Sequence, residues 1–386
     1  MCRDRFRPIA LGTAAAIVGW LGWSGNVLLL PVTVLFPALW SLARSRLQAG
    51  LVAACYFLTA SRGLPQGVAN FYASDICPGL LLWLTASTGF VIVHSVLWTK
   101  HAGWRRPFFY LIACAVMAIP PFGITGWAHP ITAAGVLFPA WGWAGLLALA
   151  VGLSLMTTRL RSAAGIAMSC LWLWSATEWA APDSPTRWTA VDLRMGASLG
   201  RDAGLDRQQV LIEIARDHPP GTTIVLPEST IGFWTPTVAR FWRTRLAGTG
   251  ISVIAGAAVI DEDGYDNVLV EISAMGSRVL YRERMPVPGS MWRPWENLIS
   301  EGGGARAHFF ENPVVEVGGS RVAPLICYEQ LLVWPILQSL LYSPDVVIAV
   351  GNGWWTAGTS IVDIQLASSE AWARLFDLPL LTSFNT

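Results

Sequence analysis

Lysine is nearly absent from this chain: Lys100 is the single one in 386 residues, and the other 25 basic residues are arginines. Any chemistry in the second half must therefore do without an ammonium side chain. Charge of either sign is scarce at 13%, about half of the roughly one quarter that a soluble domain carries, so the composition argues against an ordinary soluble globule. Disorder is excluded as well, because it needs low hydrophobicity and high net charge, and the formal charge here is +1. The six cysteines (Cys2, Cys55, Cys77, Cys114, Cys170 and Cys327) include three within apolar runs, and no disulfide framework is visible. His218 and His308 stand isolated in the second half. A zinc site needs three or four converging ligands, so neither a metal nor a cofactor is expected. Acids are rare only at the front. Residues 1–180 hold three against 11 Lys and Arg, a net of +8, whereas residues 181–386 hold 22 against 15 Arg, a net of −7. Phosphate binding is driven by Lys and Arg, so this acidic half is not expected to contact nucleic acid.

What the chain has in abundance is apolar sequence, 53% of its residues, with mean hydropathy +0.48. Apolar runs lie near 8–24, 26–42, 47–61, 78–98, 107–121, 132–155 and 162–180. A spanning helix needs about 20 such residues, so the expectation is a polytopic membrane domain of about seven helices over 1–180. The Arg3, Arg5 and Arg7 cluster resembles a signal-peptide start, yet the later runs favour an uncleaved first helix. Ten Lys and Arg fall on one set of alternate loops and Arg62 alone on the other. Positive loops stay cytoplasmic, which predicts a multi-pass inner-membrane protein with a cytoplasmic N-terminus and a periplasmic domain over 185–386. Many of the 21 tryptophans sit near run ends and read as an interfacial belt. His94 is read as structural.

After Pro182 the pattern changes to short alternating segments. Strand-like runs are 222–227, 251–258, 267–273, 277–282, 314–317, 321–327 and 345–350; helical patterns cover 206–217, 237–247, 331–341 and 359–376. This alternation predicts an α/β domain with a mixed sheet, and Gly302–Gly304 reads as a short loop. Two strand ends carry chemistry. Cys327 closes a strand and precedes a helical start, where a helix dipole favours thiolate. Glu228 closes another, at the edge where open α/β sheets bind ligands.

Taken together, PEST (227–230), YRERMPVP (281–288), ICYE (326–329) and Asn352-Gly353-Trp354-Trp355 resemble the nitrilase, or carbon–nitrogen hydrolase, superfamily. The helices in front resemble its membrane branch, apolipoprotein N-acyltransferase, and a shorter branch that serves conjugal plasmid transfer. The resemblance implies an αββα sandwich and a Glu–Lys–Cys triad in which the glutamate is base, the cysteine attacks an acyl carbonyl and the lysine stabilises the oxyanion. It places Glu228 as base and Cys327 as nucleophile. It puts Tyr328 and Glu329 behind the nucleophile, and Trp354 and Trp355 after the next strand, as binding positions. It also implies a phospholipid or lipoprotein substrate, a membrane, and other conjugal transfer proteins as partners.

Two departures matter. Tyr281 and Val287-Pro288 align without a gap, which puts Glu283 where the family has its lysine, and Met291 where it has a later glutamate. Arg282 and Arg284 flank that position, but alternate strand residues point to opposite faces, so either reaches the site only through a bulge or a register slip. Losing one oxyanion donor costs about 10²–10³ in rate. Glu283 beside Glu228 makes a like-charged pair that raises a pKa, and a protonated Glu283 would be able to donate a hydrogen bond. The chain also stops at Asn385-Thr386, so the domain is expected to be shortened and to lack closing strands. Two readings stand: a cysteine-dependent acyltransferase or amidase, and a catalytically impaired accessory component of conjugation.

Overall fold

Helix length follows from where the backbone can keep its i→i−4 ladder, and in the first half of this chain the ladder breaks often. The computed structural model describes residues 2–200, 204–295 and 304–386, with side chains from residue 6 onward. The side chains of Arg3 and Arg5, and Gly302 and Gly303, lie outside the described residues. The chain divides into two units, one of Met1–Pro182, Leu331–Trp334 and Gly358–Leu378, the other of Asp183–Gln330, Pro335–Ala357 and Pro379–Thr386.

The first unit is helical, but it is not the polytopic domain of about seven spans that the apolar runs suggest. Among the described residues one helix, Cys77–Val96, is long and apolar enough to cross a membrane. The run at 26–42 folds as a 3₁₀ segment, Val27–Leu35, followed by a helix of six residues, Phe36–Ser41. The run at 132–155 is cut into Pro130–Ala133, Ala134–Leu137 and Gly142–Met156. The run at 47–61 becomes Arg46–Ala60, 15 residues, about 22 Å of helix against the ~30 Å of a hydrocarbon core. Its start is set by a reciprocal cap: Ser45 accepts from the Gln48 N–H while the Gln48 side chain accepts from the Arg44 N–H. Aromatic rings fill the centre. Phe36 stacks on Tyr56 at 4.4 Å between centroids and Phe90 on His94 at 4.2 Å, and the Trp40 indole donates to the His94 carbonyl at 2.8 Å. Close approaches need glycine: a Cβ on Gly135 would lie 1.6 Å from the Ala371 carbonyl oxygen of the helix Ile361–Phe376.

The second unit is the α/β part. β1 (Trp188–Ala190), β2 (Thr223–Val225), β3 (Ser252–Asp261), β4 (Gly264–Ser273) and β5 (Ser277–Arg282) form a five-stranded sheet in that order, parallel through β3 and antiparallel after it. β6 (Val315–Val317), β7 (Ser320–Ile326), β8 (Val346–Asn352) and β9 (Leu380–Asn385) form a four-stranded sheet. Period-2 alternation sorts the core. Val253, Ala255, Ala257, Val268, Val270 and Ile272 face the helices Leu205–Arg216 and Pro236–Leu246, where Leu211 and Trp242 pack. Ile254, Leu269 and Tyr281 face the other sheet, meeting Val322, Ile326, Ile348 and Val350. One helical layer and two facing sheets follow from this, with β7 and β8 parallel so that Cys327 and Asn352 emerge at the same edge.

Candidate active site

Four segments converge at that edge. After β2 the chain holds to β3 through the Leu226 N–H on the Ile254 carbonyl (2.8 Å), then turns at Ser229 with φ +62°. Glu228, 5% exposed, lies on this turn. The turn sits hard against β3: a Cβ on Gly256 would fall 2.5 Å from both Glu228 Cα and Ser229 N. Gly256→Ala is therefore expected to lower stability by about 1–3 kcal/mol, the usual cost of overpacking, and to slow modification of Cys327 by displacing Glu228. Urea midpoints and alkylation rates check both.

Cys327 follows the last residue of β7 at φ +45° and is 7% exposed. A left-handed backbone on a non-glycine residue costs of order 1–3 kcal/mol and persists where its surroundings over-determine it. Here they do. Glu329, fully buried, accepts the Ile326 N–H on Oε2 (2.8 Å), and on Oε1 the Tyr281 hydroxyl (2.6 Å), the Arg284 N–H (2.8 Å) and the Met285 N–H (3.3 Å). Glu329 thus ties the Cys327 elbow to the end of β5. Its carboxyl is pushed up by burial, and Arg284 with these donors pulls it back.

Glu228 and Cys327 are hydrogen-bonded to each other through their side chains. Glu228 is further held by the Asn267 amide on Oε1 (2.8 Å) and the Asn352 N–H on Oε2 (3.0 Å). Burial raises its pKa above the ordinary 4.5, against the lowering effect of those three donors. Glu283 is 1% exposed and lies on the other side of Asn267, whose amide also donates to Glu283 Oε2 (2.9 Å). The register explains this: Val268 pairs with Arg282, and the Glu283 N–H continues the ladder to the Asn267 carbonyl (2.8 Å). Burial pushes Glu283 well above the ordinary range, and the charges of Glu228 and Glu329 push it further.

Neither arginine stands in for the lysine. β5 does carry an irregularity, between Leu269 and Val270 on its partner strand, but it precedes Tyr281 and leaves Tyr281 and Glu283 on one face. Arg282 pairs with Asp266, as do Arg306 (2.8 Å) and His308 (2.9 Å). Arg284 is fully buried and donates to the Tyr281 hydroxyl (2.9 Å), Gln338 (3.1 Å), Ser339 (3.1 Å) and the Pro324 carbonyl (3.2 Å).

Tyr328 follows Cys327, half-buried; Trp354 and Trp355 form a half-buried 3₁₀ turn two residues after Asn352; Met291 is half-buried and accepts the Ala305 N–H on its carbonyl (2.8 Å). Sequence reasoning missed Asn267, Tyr265 and the role of Asn352. Tyr265, whose phenol is raised by burial and then by Glu283 and Glu228, lies on the same face of β4 as Asn267. A polar Asn opening an apolar strand was the available signal. No group of three or more His, Cys, Asp or Glu among the described residues is arranged to hold a metal. The chemistry on offer is a thiol hydrogen-bonded to a buried carboxylate, the pairing of nucleophile and base.

The chain is similar to known proteins. The chain is 61% identical over its whole length to the probable conjugal transfer protein TraB of Sinorhizobium fredii, covering all of it. It is 56% identical to the conjugal transfer protein TraB of Agrobacterium fabrum, over all of this chain and 94% of that one. Among solved structures, an amidase from Nesterenkonia sp. matches at 13% identity with a TM-score of 0.38, over 51% of this chain and 75% of the amidase. The carbon-nitrogen hydrolase family model matches residues 58–374, which is most of the chain and includes every side chain of the carboxylate–thiol cluster, and so the chain belongs to the carbon–nitrogen hydrolase family.

Proposed function

We propose that this chain serves a conjugal transfer system as a membrane-anchored cysteine enzyme of the acyltransferase or amidase type, taking an acyl group on Cys327 as a thioester. The observation that carries the reading is the Glu228–Cys327 hydrogen bond, with Glu228 fixed by Asn267 and Asn352. Glu228 takes the thiol proton as Sγ attacks, and returns it to the leaving amine or alkoxide. The names of the full-length relatives support the conjugal setting. The helix Cys77–Val96 supports the anchor, since it leaves Leu81, Leu84, Ile92 and Val96 exposed, an apolar face suited to lipid. A membrane site suits an acyl donor or acceptor with a lipid part, such as a phospholipid or lipoprotein. A second reading, an accessory component without turnover, draws on Glu283 standing where the family has lysine.

Treatment of the full chain in native membranes with iodoacetamide separates them. Cys327 is expected to alkylate at least tenfold faster than free cysteine, and intact mass is expected to show an acyl adduct that disappears in Cys327→Ala. Alkylation no faster than free cysteine, with no adduct and undiminished plasmid transfer by Cys327→Ala, supports the accessory reading instead.

A further inference from the structure

We propose that Glu283 acts as a neutral acid, its Oε1–H donating to the oxyanion that forms when Cys327 attacks an acyl carbonyl, and so replaces the family's lysine by a proton rather than by a cation. The assignment rests on the thioester reading above. Among the described residues, Glu283 Oε1 is buried and has no hydrogen-bond partner. Buried polar atoms are nearly always paired, so this one calls for an explanation, and a substrate oxygen is the partner that a resting site would lack.

Donor counts decide where the proton sits. Glu329 has four donors and Arg284 with its guanidinium Nε at 3.7 Å. Glu228 has three: Asn267, the Asn352 N–H and the Cys327 thiol. Among the described residues Glu283 has one, half of the Asn267 amide. Three neighbouring buried carboxyls, with the Arg284 guanidinium beside Glu329 only, are costly to ionise together, and the charge settles where donors are most numerous. Glu329 and Glu228 therefore hold the charges, and Glu283 holds the proton. The groups acting on Glu283 are Glu228, Glu329 and Asn267, with Tyr265 beside the two acids and Arg293 near Tyr265; burial and the two carboxylates favour its neutral form. A protonated carboxyl in an apolar site is a competent oxyanion donor.

The probe is p-nitrophenyl acetate. The Sγ–C bond forms, the thiol proton passes to Glu228, and the carbonyl pair moves onto the oxygen facing Glu283. Return of that pair breaks the ester C–O bond, and p-nitrophenolate leaves. Glu283 donates a hydrogen bond throughout and keeps its proton. A glutamine at 283 would have an N–H to offer in the same place, and a leucine would have nothing.

The test uses the full chain in detergent micelles, following acetylation of Cys327 by release of p-nitrophenolate and alkylation by iodoacetamide. Alkylation passes through no oxyanion. Glu283→Leu is expected to slow acetylation 10²-fold or more while alkylation stays within threefold. Glu283→Gln is expected to lose less than tenfold and to remove the alkaline limb of the wild-type acetylation profile, which marks loss of the Glu283 proton. Equal acetylation by Glu283→Leu and wild type overturns this assignment alone, as does a Glu283→Gln variant as slow as Glu283→Leu or one that keeps the alkaline limb. A wild type that alkylates but never acetylates overturns the thioester reading and this assignment together.

Discussion

Arg284→Met is expected to cost about 3–5 kcal/mol, the usual effect of stripping one partner from a buried ion pair. That is a large part of the 5–15 kcal/mol by which domains are stable. The side chain is fully buried, and its guanidinium links the Tyr281 hydroxyl, Gln338, Ser339 and the Pro324 carbonyl, with Glu329 at 3.7 Å. Methionine fills most of the volume but leaves the Glu329 charge uncompensated. Arg284→Lys keeps the charge and loses the planar fork, so it falls between the two. Arg284→Met with Glu329→Gln removes both charges and is expected to recover part of the loss. Because Glu329 also pins the Ile326 N–H beside the strained Cys327, the single variant is expected to slow Cys327 alkylation too. Urea midpoints for the three variants measure the first effect. A cost below about 1 kcal/mol for Arg284→Met would mean that the pair is hydrated, contrary to its burial.

The site was legible where one residue type at a strand end suffices. Glu228 and Cys327 each follow an apolar run with a sharp exit, and the family's motifs fix their order. Glu283 was legible as a mismatch, but its surroundings were not. Asn267 reaches both carboxyls only because β4 and β5 pair in a register that puts it beside Glu283, and no local pattern encodes that pairing. The strands of the α/β unit fell close to the expected segments, since alternation is a local property. Trp188–Ala190 and Leu380–Asn385 were missed as strands; each follows a proline-containing stretch and is short. The first half failed for a different reason. Hydropathy counts apolar residues and is blind to where a ladder breaks, so the 3₁₀ segment at Val27–Leu35 and the divided run at 130–156 read as spans. Glycines such as Gly135, which let helices touch backbone to backbone, look the same in a lipid-facing and a protein-facing helix.

Glu228→Gln is expected to move activity and stability in opposite directions. Without a base, acetylation of Cys327 falls about 10²–10⁴-fold, and the acidic limb of its pH profile disappears, because that limb marks protonation of Glu228. Stability follows from linkage. The folded pKa of Glu228 lies above its ordinary 4.5, so the native state binds more protons than the unfolded chain once the pH exceeds about 4.5. The slope of unfolding free energy with pH is then negative. The contribution is fully present below the unfolded pKa and is lost as pH rises through the folded one. Glutamine carries no charge to bury and escapes that loss, so Glu228→Gln melts higher than wild type at neutral pH and no higher at pH 4. Glu283→Gln shows the same sign, and more strongly, because Glu283 has fewer donors to offset its burial. Glu329 is raised as well, but Arg284 and its four donors offset much of the burial, so Glu329→Gln is expected to show the same sign more weakly. Melting temperatures of the three variants from pH 4 to 8 test the assignment of charge. Glu228→Gln melting below wild type at pH 7 would show that the carboxylate's hydrogen bonds outweigh its burial, and that Glu228 is not a raised base.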